Sequence, residues 1–189
     1  MRDRLLEIAN LKYPQGVNLI TSWADMIEQL IGIELSQQLK KINEFFNRSI
    51  FYTEDAAAWG QSDYWATPFE LLTTSRGDCE DYAIAKYVSL RLLNVPDDAL
   101  RIMYVYATTG NTKTAHMVMG VVLDETCYIL DNMVSSIRTL EMRPDLTPVF
   151  GFNMSQLWVH DQLTTEDPTH RLSKWQNLIE KLSEDGLTL

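Results

Sequence analysis

Cysteine is scarce in this 189-residue chain, which contains only Cys79 and Cys127. Two cysteines are too few for a disulfide framework, and they do not reveal the redox compartment. Apolar residues make up 46% of the sequence and charged residues 22%, which is ordinary for a globular protein. The length suits one domain, so residues 1–189 are expected to form a single folded unit.

Basic residues are also few, since 16 Lys and Arg face 26 Asp and Glu and the net charge is -10. A protein that binds the phosphates of DNA or RNA needs a basic face, so nucleic acid is not an expected partner. No apolar stretch is long enough to span a bilayer, so direct membrane insertion is not expected. The N-terminus MRDRLLEIANLKYP lacks the apolar stretch of a signal peptide. We therefore expect either a cytoplasmic protein or a processed chain.

The spacing of apolar residues changes along the chain from a helical period to a strand period. Helices followed by antiparallel strands indicate an α+β fold. One helix is expected to bury a single stripe that includes Ala83, Tyr87 and Leu90. The predicted segments, in chain order, are a mostly helical lobe (1–75), this helix (76–95), an antiparallel sheet (98–162) and a C-terminal helix (168–183).

The stretch GDCED at residues 77–81 places a thiol among carboxylates. Asp78 is a predicted N-cap, with Asp81 completing a capping box, so that Cys79 becomes the first residue of the helix. Free N–H groups and the macrodipole at a helix start lower the pKa of a thiol, which favours a reactive cysteine. The alternative is that Cys79 is only a small buried hydrophobe.

A histidine and an aspartate lie on two segments that we expect to pair as strands, His116 in TAHMVMGVVL and Asp131 at the end of TCYILD. If Asp124 and Glu125 form a two-residue hairpin turn, Val118 lies opposite Asp131. His116 is then its diagonal neighbour on the same face, about 7–8 Å away between Cα atoms. A three-residue turn would move the two side chains to opposite faces.

A cysteine at a helix start, a histidine on a strand and an aspartate on the next strand together predict a catalytic triad. Cys79 would attack a carbonyl carbon, His116 would hold the thiolate and protonate the leaving amine, and Asp131 would orient the imidazole. A lone histidine in an apolar strand is otherwise an ordinary core residue. His160, which ends a strand, is the weaker candidate for the base.

The acids next to Cys79 oppose the formation of its thiolate. A carboxylate about 5 Å from the sulfur repels a thiolate by about 3 kcal/mol at an effective dielectric of about 20, whereas the helix dipole contributes only about 0.3–1 kcal/mol. Asp78 and Asp81 lie one helical turn apart and favour a hard cation such as calcium, with Asp63 as a candidate further ligand. The alternative is that both acids cap the helix and Glu80 is solvated surface.

The segment DYWATPFELLTTSRGDCEDYAIAKY, followed by AHMVMGV and LDNM, resembles the bacterial transglutaminase-like cysteine peptidases. The resemblance covers roughly residues 15–165, and GDCEDYA is its most specific part. It implies a transglutaminase-like and papain-like core, with a helical lobe packed on an antiparallel sheet. The residues that match the family's functional positions are Cys79, His116 and Asp131 for the triad, and Asp78, Glu80 and Asp81 for calcium.

The resemblance also implies a biological role. Such enzymes are calcium-dependent endopeptidases of the periplasm, and they cut large repeat adhesins near the N-terminus after a di-alanine pair, which releases biofilm cells. An inner-membrane receptor for cyclic-di-GMP sequesters them. We therefore expect Ca2+ as cofactor, an adhesin and such a receptor as partners, and a periplasmic, processed or trimmed chain.

A narrow cleft is expected beside the thiol, because the expected cleavage site is a pair of small residues. Trp59, Tyr64 and Trp65 precede the helix and are candidate walls, with Trp65 as the candidate substrate-binding residue. Ordinary core packing is the alternative for these aromatic residues. Cys127 has the same strand parity as Asp131, and we expect it to be a structural thiol.

Two other functions are compatible with the same residues. A transglutaminase or deamidase uses an equivalent triad on a glutamine amide. A calcium-binding adaptor would keep the fold without catalysing a reaction.

Overall fold

Helices make up most of the first half of the chain, and nearly all strand residues lie in the second half. The computed structural model describes residues 1–160 and 162–187. The predicted unit 1–189 thus includes Asp161, Thr188 and Leu189, which lie outside the described residues. The helices are α1 Arg2–Lys12, α2 Val17–Leu30, α3 Leu35–Ser49, α4 Asp55–Ala58, α5 Pro68–Thr74, α6 Cys79–Leu92, α7 Pro168–Arg171 and α8 Ser173–Glu184.

The strands form one large antiparallel sheet and one small parallel pair. Their bounds are β1 Phe51–Tyr52, β2 Arg76–Gly77, β3 Leu100–Thr109, β4 Thr112–Leu123, β5 Thr126–Leu130, β6 Arg138–Thr139, β7 Leu146–Phe152, β8 Leu157–Val159 and β9 Gln162–Leu163. Seven of them follow the order β6-β5-β4-β3-β7-β8-β9, and β1 pairs with β2 in parallel. The predicted α+β class, with a helical lobe on an antiparallel sheet, is confirmed.

The helical lobe is divided where the sequence indicates. Gly32 has φ 73, in the left-handed region that favours glycine, and it separates α2 from α3. Helix α5 begins at Pro68 after Thr67, whose side chain forms a capping box with Glu70. The lobe therefore ends in a well-defined helix directly before the GDCED stretch.

Helix α6 is the centre of the molecule. The predicted single stripe is wrong, because every residue from Asp81 to Leu90 is buried. The helix packs against α3 and α5 on one side and β3 and β4 on the other, so no face of this segment is left to solvent. It is also shorter than the predicted 76–95, because Arg76 and Gly77 pair with β1 instead.

The hairpin between β4 and β5 has the predicted two-residue turn. Asp124 and Glu125 have φ angles of 46 and 64, as a turn with two left-handed residues requires. Strand pairing joins Leu123 to Thr126 and Met119 to Leu130. Asp131 directly follows the last paired residue, so the turn fixes which face of the sheet it meets.

The C-terminal segment forms two helices, which corrects the prediction of one helix over 168–183. Leu172 separates α7 from α8, because its backbone is extended, with φ -115 and ψ 90, and its side chain packs on the core. Trp175 of α8 is fully buried and meets the rings of Tyr87 and Phe152 edge-on, at centroid distances of 5.6 and 5.1 Å. This ring therefore joins α8 to both α6 and β7.

Among residues 1–160 and 162–187, no helix combines the length and hydrophobicity needed to cross a bilayer.

Replacing Trp175 with alanine should lower the free energy of unfolding by about 3–5 kcal/mol, because it leaves a cavity between three elements. Urea unfolding followed by circular dichroism measures this change. The matched control is Met142→Ala, since Met142 is 64% exposed and its loss should change the free energy by less than about 0.5 kcal/mol. Equal effects of the two substitutions would contradict the packing described.

Candidate active site

Cys79 and His116 line the same cleft, which has a volume of about 960 Å³. Cys79 is the first residue of α6, and His116 lies in β4. The Met117 backbone is close enough to hydrogen-bond the Cys79 thiol, so the sulfur lies beside the strand that carries the histidine. The packing of α6 against β4 thus brings together two residues that the sequence separates.

His116 contacts Asp131, as the hairpin register predicts. The His116 Nε2 atom lies 2.9 Å from Oδ1 of Asp131, and the two residues are only 4% and 1% exposed. This bond occupies Nε2 and leaves Nδ1 as the ring nitrogen able to exchange a proton within the cleft. The pair has the arrangement of a base and the acid that orients it.

Three donors hold Asp131 as a carboxylate. The Arg143 Nη2 atom donates to Oδ2 at 2.8 Å, and the Met133 amide donates to Oδ1 at 2.9 Å. Burial alone would raise the pKa of Asp131, but the hydrogen bonds from His116, Met133 and Arg143 lower it to about 2. Arg143 also binds Asp145 and is 4% exposed, so its guanidinium is held firmly against the Asp131 carboxylate. The sequence gives no periodic signal for Arg143, and it was missed.

A group of three acids lies beside the thiol, and the sequence did not predict one of them, Asp55. Asp55, in the four-residue helix α4, joins Asp78 and Asp81, and one carboxylate oxygen of each lies within 4.8 Å of the others. The Oδ1 atoms of Asp55 and Asp78 and the Oδ2 atom of Asp81 are buried, with no hydrogen-bond partner in the described part of the chain. Buried carboxylate oxygens that converge without donors fit a hard cation such as calcium.

The predicted capping box at the start of α6 is wrong. Asp78 is the N-cap by position, but its side chain makes no capping hydrogen bond to the residues that the structure describes. Asp81 instead accepts a hydrogen bond from the Ala66 amide at 2.8 Å, which turns it away from the helix start. A side chain at Gly77 would place its Cβ atom 2.5 Å from Oδ2 of Asp81, so glycine is required there. Both acids are therefore available to the cluster with Asp55.

The electrostatics of this group disfavour a reactive thiol in the absence of a cation. Burial, the hydrogen bond with Glu80 and the neighbouring charges raise the pKa of Asp78 to about 10. Burial likewise raises the pKa of Asp81 to about 7, against the effect of its backbone hydrogen bond. The pKa of the Cys79 thiol is raised by burial and by the charges of Glu80 and Asp78. A cation beside these acids would therefore favour the thiolate, because it would offset the negative charges near the sulfur.

Glu80 lies next to the thiol and does not point away into solvent. The Cys79 Sγ atom donates to Oε2 of Glu80 at 3.1 Å. Glu80 also belongs to a neighbouring acidic group with Asp55 and Asp63, and Asp63 forms an ion pair with Lys174. Glu80 thus connects the thiol to the carboxylates, and Asp63 lies at the outer edge of the group.

One of the three predicted aromatic walls lines the cleft. Trp65 does so and stacks on Phe152 at a centroid distance of 5.7 Å. Trp59 and Tyr64 pack on each other at 4.8 Å and, within the described residues, do not contribute to the cleft wall. Other apolar residues of the wall were not assigned to a cleft from the sequence, and they include Tyr52, Tyr104, Met133 and Phe150.

The remaining candidate residues lie elsewhere. His160 and His170 are both exposed, which leaves His116 as the buried histidine of the cleft. Cys127 is half-buried and packs beside the apolar residues Met103, Val118 and Ile129, with its Sγ atom 4.0 Å from Sδ of Met103. Its position in β5 is that of a structural thiol.

The stability supplied by Asp131 should depend on pH. Its pKa is about 2 in the folded chain and about 3.9 in an unfolded one, so its contribution is complete above about pH 5. That contribution, about 2–3 kcal/mol, is lost as the pH falls towards 2. The difference in unfolding free energy between wild type and Asp131→Asn, measured in urea, should therefore shrink by about 1 kcal/mol between pH 6 and pH 3. Asp3, whose side chain is 100% exposed, gives the control Asp3→Asn. An Asp131→Asn difference that stays constant with pH would contradict the network.

Comparisons with known proteins agree with this geometry. The family model described as "Bacterial transglutaminase-like cysteine proteinase BTLCP" matches residues 23–144, a segment that contains Cys79, His116 and Asp131. A search of curated sequences found no significant match. The structure of Legionella pneumophila LapG is 34% identical, with a TM-score of 0.83, and the alignment covers 96% of this chain and 95% of that one. The calcium-bound form of the same Legionella protein is 33% identical, with a TM-score of 0.83 and coverage of 96% and 98%.

The family match spans more than half of the chain, and the structural similarity extends over nearly all of it. The fold, the buried His116–Asp131 pair and the cysteine at a helix start agree with that assignment. The chain belongs to the bacterial transglutaminase-like cysteine proteinases and is a cysteine endopeptidase.

Proposed function

We propose that this endopeptidase is calcium-dependent and cleaves the N-terminal region of a large surface adhesin at a di-alanine site. The observation that carries this proposal is the position of Cys79. Its sulfur shares a cleft with the His116–Asp131 pair, and it adjoins carboxylates whose buried oxygens lack donors among the described residues. Catalysis and cation binding would therefore meet at the start of one helix.

The geometry supports acyl transfer through a thioester. The Cys79 sulfur would attack the scissile carbonyl carbon, and the free N–H groups at the start of α6 would stabilise the oxyanion. His116, through Nδ1, would give its proton to the leaving amine as the C–N bond breaks. Water, activated by the same nitrogen, would then hydrolyse the thioester and release the new carboxyl end. Asp131 would keep the imidazole in position throughout.

The residues that would hold calcium are Asp55, Asp78 and Asp81, with Glu80 at the edge of the group. When bound, the ion would supply positive charge that offsets these carboxylates and favours the Cys79 thiolate. The donors are all oxygens, which suits a hard cation better than zinc. The calcium-bound Legionella LapG structure supports the choice of metal, given the similarity of the two chains.

The cleft supports a substrate with small side chains at the cut. Trp65, Tyr104 and Phe150 contribute large rings to its wall, and Trp65 and Tyr104 each stack on a further ring. Stacked rings cannot easily move aside, so they would restrict the space beside the sulfur. We infer that a pair of alanines would fit beside these rings.

The partners and the compartment follow from the resemblance of the GDCEDYA segment to adhesin-cleaving enzymes. On that basis, the protein would act in the periplasm on a large repeat adhesin and promote biofilm dispersal. An inner-membrane receptor for cyclic-di-GMP would hold it inactive. The acidic net charge of -10 is consistent with protein partners and unfavourable for nucleic acid.

Incubation with an adhesin N-terminal fragment that contains an Ala-Ala pair should give two products, with the cut after the pair. Cys79→Ala should reduce this cleavage by at least about 10³-fold, because the nucleophile is lost. Mass spectrometry of the products measures both the cut and its position. His160→Ala, a histidine exposed outside the cleft, is the matched control and should cleave at the wild-type rate.

The same spectra distinguish the competing functions. A mass increase of one dalton at a glutamine, or a cross-link to an amine, with an intact backbone would assign a deamidase or transglutaminase. A fragment that stays unmodified, together with calcium binding, would assign an adaptor. Either result would overturn the proposed substrate chemistry.

Asp55→Asn should weaken calcium binding by at least about tenfold, because it removes one charge and one ligand from the group. Calorimetric titration, together with the calcium-induced rise in Tm, measures the change. Asp3→Asn removes the same charge from a fully exposed position and should bind calcium as the wild type does. If Asp55→Asn binds calcium with wild-type affinity and Glu80→Gln does not, the ion is held by Glu80 and not by Asp55. That result would contradict the proposed ligand set.

A further inference from the structure

Lys86 is a buried lysine to which the proposed mechanism assigns no role. It lies in the middle of α6 and is only 1% exposed. Its Nζ atom donates to Oδ1 of Asn47 at 2.9 Å and lies 5.6 Å from the centroid of the Tyr82 ring. Burial lowers the pKa of Lys86 to about 7, although the nearby Asp131 charge opposes this effect. A charged or polar group in this place is costly compared with an apolar one of similar volume.

Asn47 connects this lysine to the triad. It lies in α3, and its Nδ2 atom donates to the main-chain oxygen of Asp131 at 2.7 Å. Lysine can only donate hydrogen bonds, so it must face the oxygen of the Asn47 amide. That orientation turns the amide N–H₂ towards Asp131. Lys86 therefore determines that the Nδ2 atom of Asn47, and not its Oδ1 atom, faces the main-chain oxygen of Asp131.

A neighbouring contact holds the same loop. Asn43 lies one helical turn before Asn47 in α3, is 1% exposed, and donates from Nδ2 to the main-chain oxygen of Ser135 at 2.9 Å. Positions four apart share a helix face. The two amides therefore bind the segment after β5 at both ends, Asn47 at residue 131 and Asn43 at residue 135. The position of the Asp131 main chain thus depends on α3.

The helix that carries Lys86 also carries the nucleophile. Seven residues separate Cys79 from Lys86, which is about two turns, so the two side chains leave α6 on nearly the same face about 10 Å apart. Because α6 is buried from Asp81 to Leu90, it acts as a rigid spacer. The bridge from Lys86 through Asn47 therefore ties the main chain of Asp131 to the helix that carries the thiol.

We propose that Lys86 is a positioning residue, which orients Asn47 so that its amide holds the Asp131 main chain and keeps His116 aligned with Cys79. This inference rests on the proposed roles of those three residues. The lysine would touch neither the substrate nor the metal. Its effect would be on the alignment of the imidazole, and its replacement would leave the fold intact.

Lys86→Met removes the donor and keeps an unbranched side chain of similar length. We expect kcat to fall about ten- to a hundredfold with KM changed less than about twofold, because misalignment affects the reacting groups and not substrate binding. The Tm should stay the same or rise, since a buried amine is replaced by an apolar side chain. Lys41→Met makes the same chemical change at an exposed position of α3 and should match the wild type in all three quantities.

A spectroscopic readout makes the test independent of the substrate. In ¹⁵N-histidine-labelled protein, the His116 Nε2–H bonded to Asp131 should give a protected downfield resonance, with exposed His160 and His170 as internal references. Lys86→Met should shift this resonance and speed its exchange with water by about tenfold or more. If the wild type cleaves no adhesin, the proposed substrate fails, while the His116 resonance still decides the role of Lys86.

Asn47→Leu provides a second route to the same result, and it decides the test if Lys86→Met does not fold. It should reproduce the loss of the resonance, and the double variant should be no worse than either single one, because the two residues act in series. An unchanged His116 resonance with kcat within twofold of wild type would overturn the proposal. A loss of activity in proportion to a fall in Tm would also overturn it, since Lys86 would then have only a structural role.

Discussion

Repulsion between carboxylates and the Cys79 thiolate is the constraint on which this site depends. A single nearby carboxylate outweighs the favourable field of a helix start several-fold. Several acids surround the sulfur in the structure. Glu80 contacts it, and Asp78 and Asp81 are buried within one helical turn of it. Asp55 adds a further acid from another helix. Such a cluster of acids is unfavourable by itself, and a bound cation would offset the repulsion between its carboxylates.

Helix α6 connects this cluster to the proposed catalytic pair on the sheet. Its first turn carries the thiol and the acids, and its buried middle packs between the helical lobe and the sheet. The sheet supplies His116 and Asp131, and Arg143 fixes the far side of the aspartate. Consequently, the charge at the helix start and the alignment of the imidazole are both determined by one rigid element.

Features set by local rules could be predicted from the sequence. The turn at Asp124 and Glu125 defined the register of the hairpin, and the register brought His116 to Asp131. Contacts between distant segments could not be predicted in this way. Asp55 lies in a helix of only four residues, which has no periodicity to detect. The predicted capping box does not form, because Asp81 accepts its hydrogen bond from the distant Ala66 amide instead.

The rate at which iodoacetamide alkylates Cys79, measured at fixed pH over a series of free calcium concentrations, tests the central claim most directly. Peptide mass mapping separates the signal of Cys79 from that of Cys127. If a cation offsets the surrounding acids, the rate should rise with calcium and saturate when the site is full, and EGTA should reverse the rise. Equal rates of alkylation in calcium and in EGTA would contradict the account.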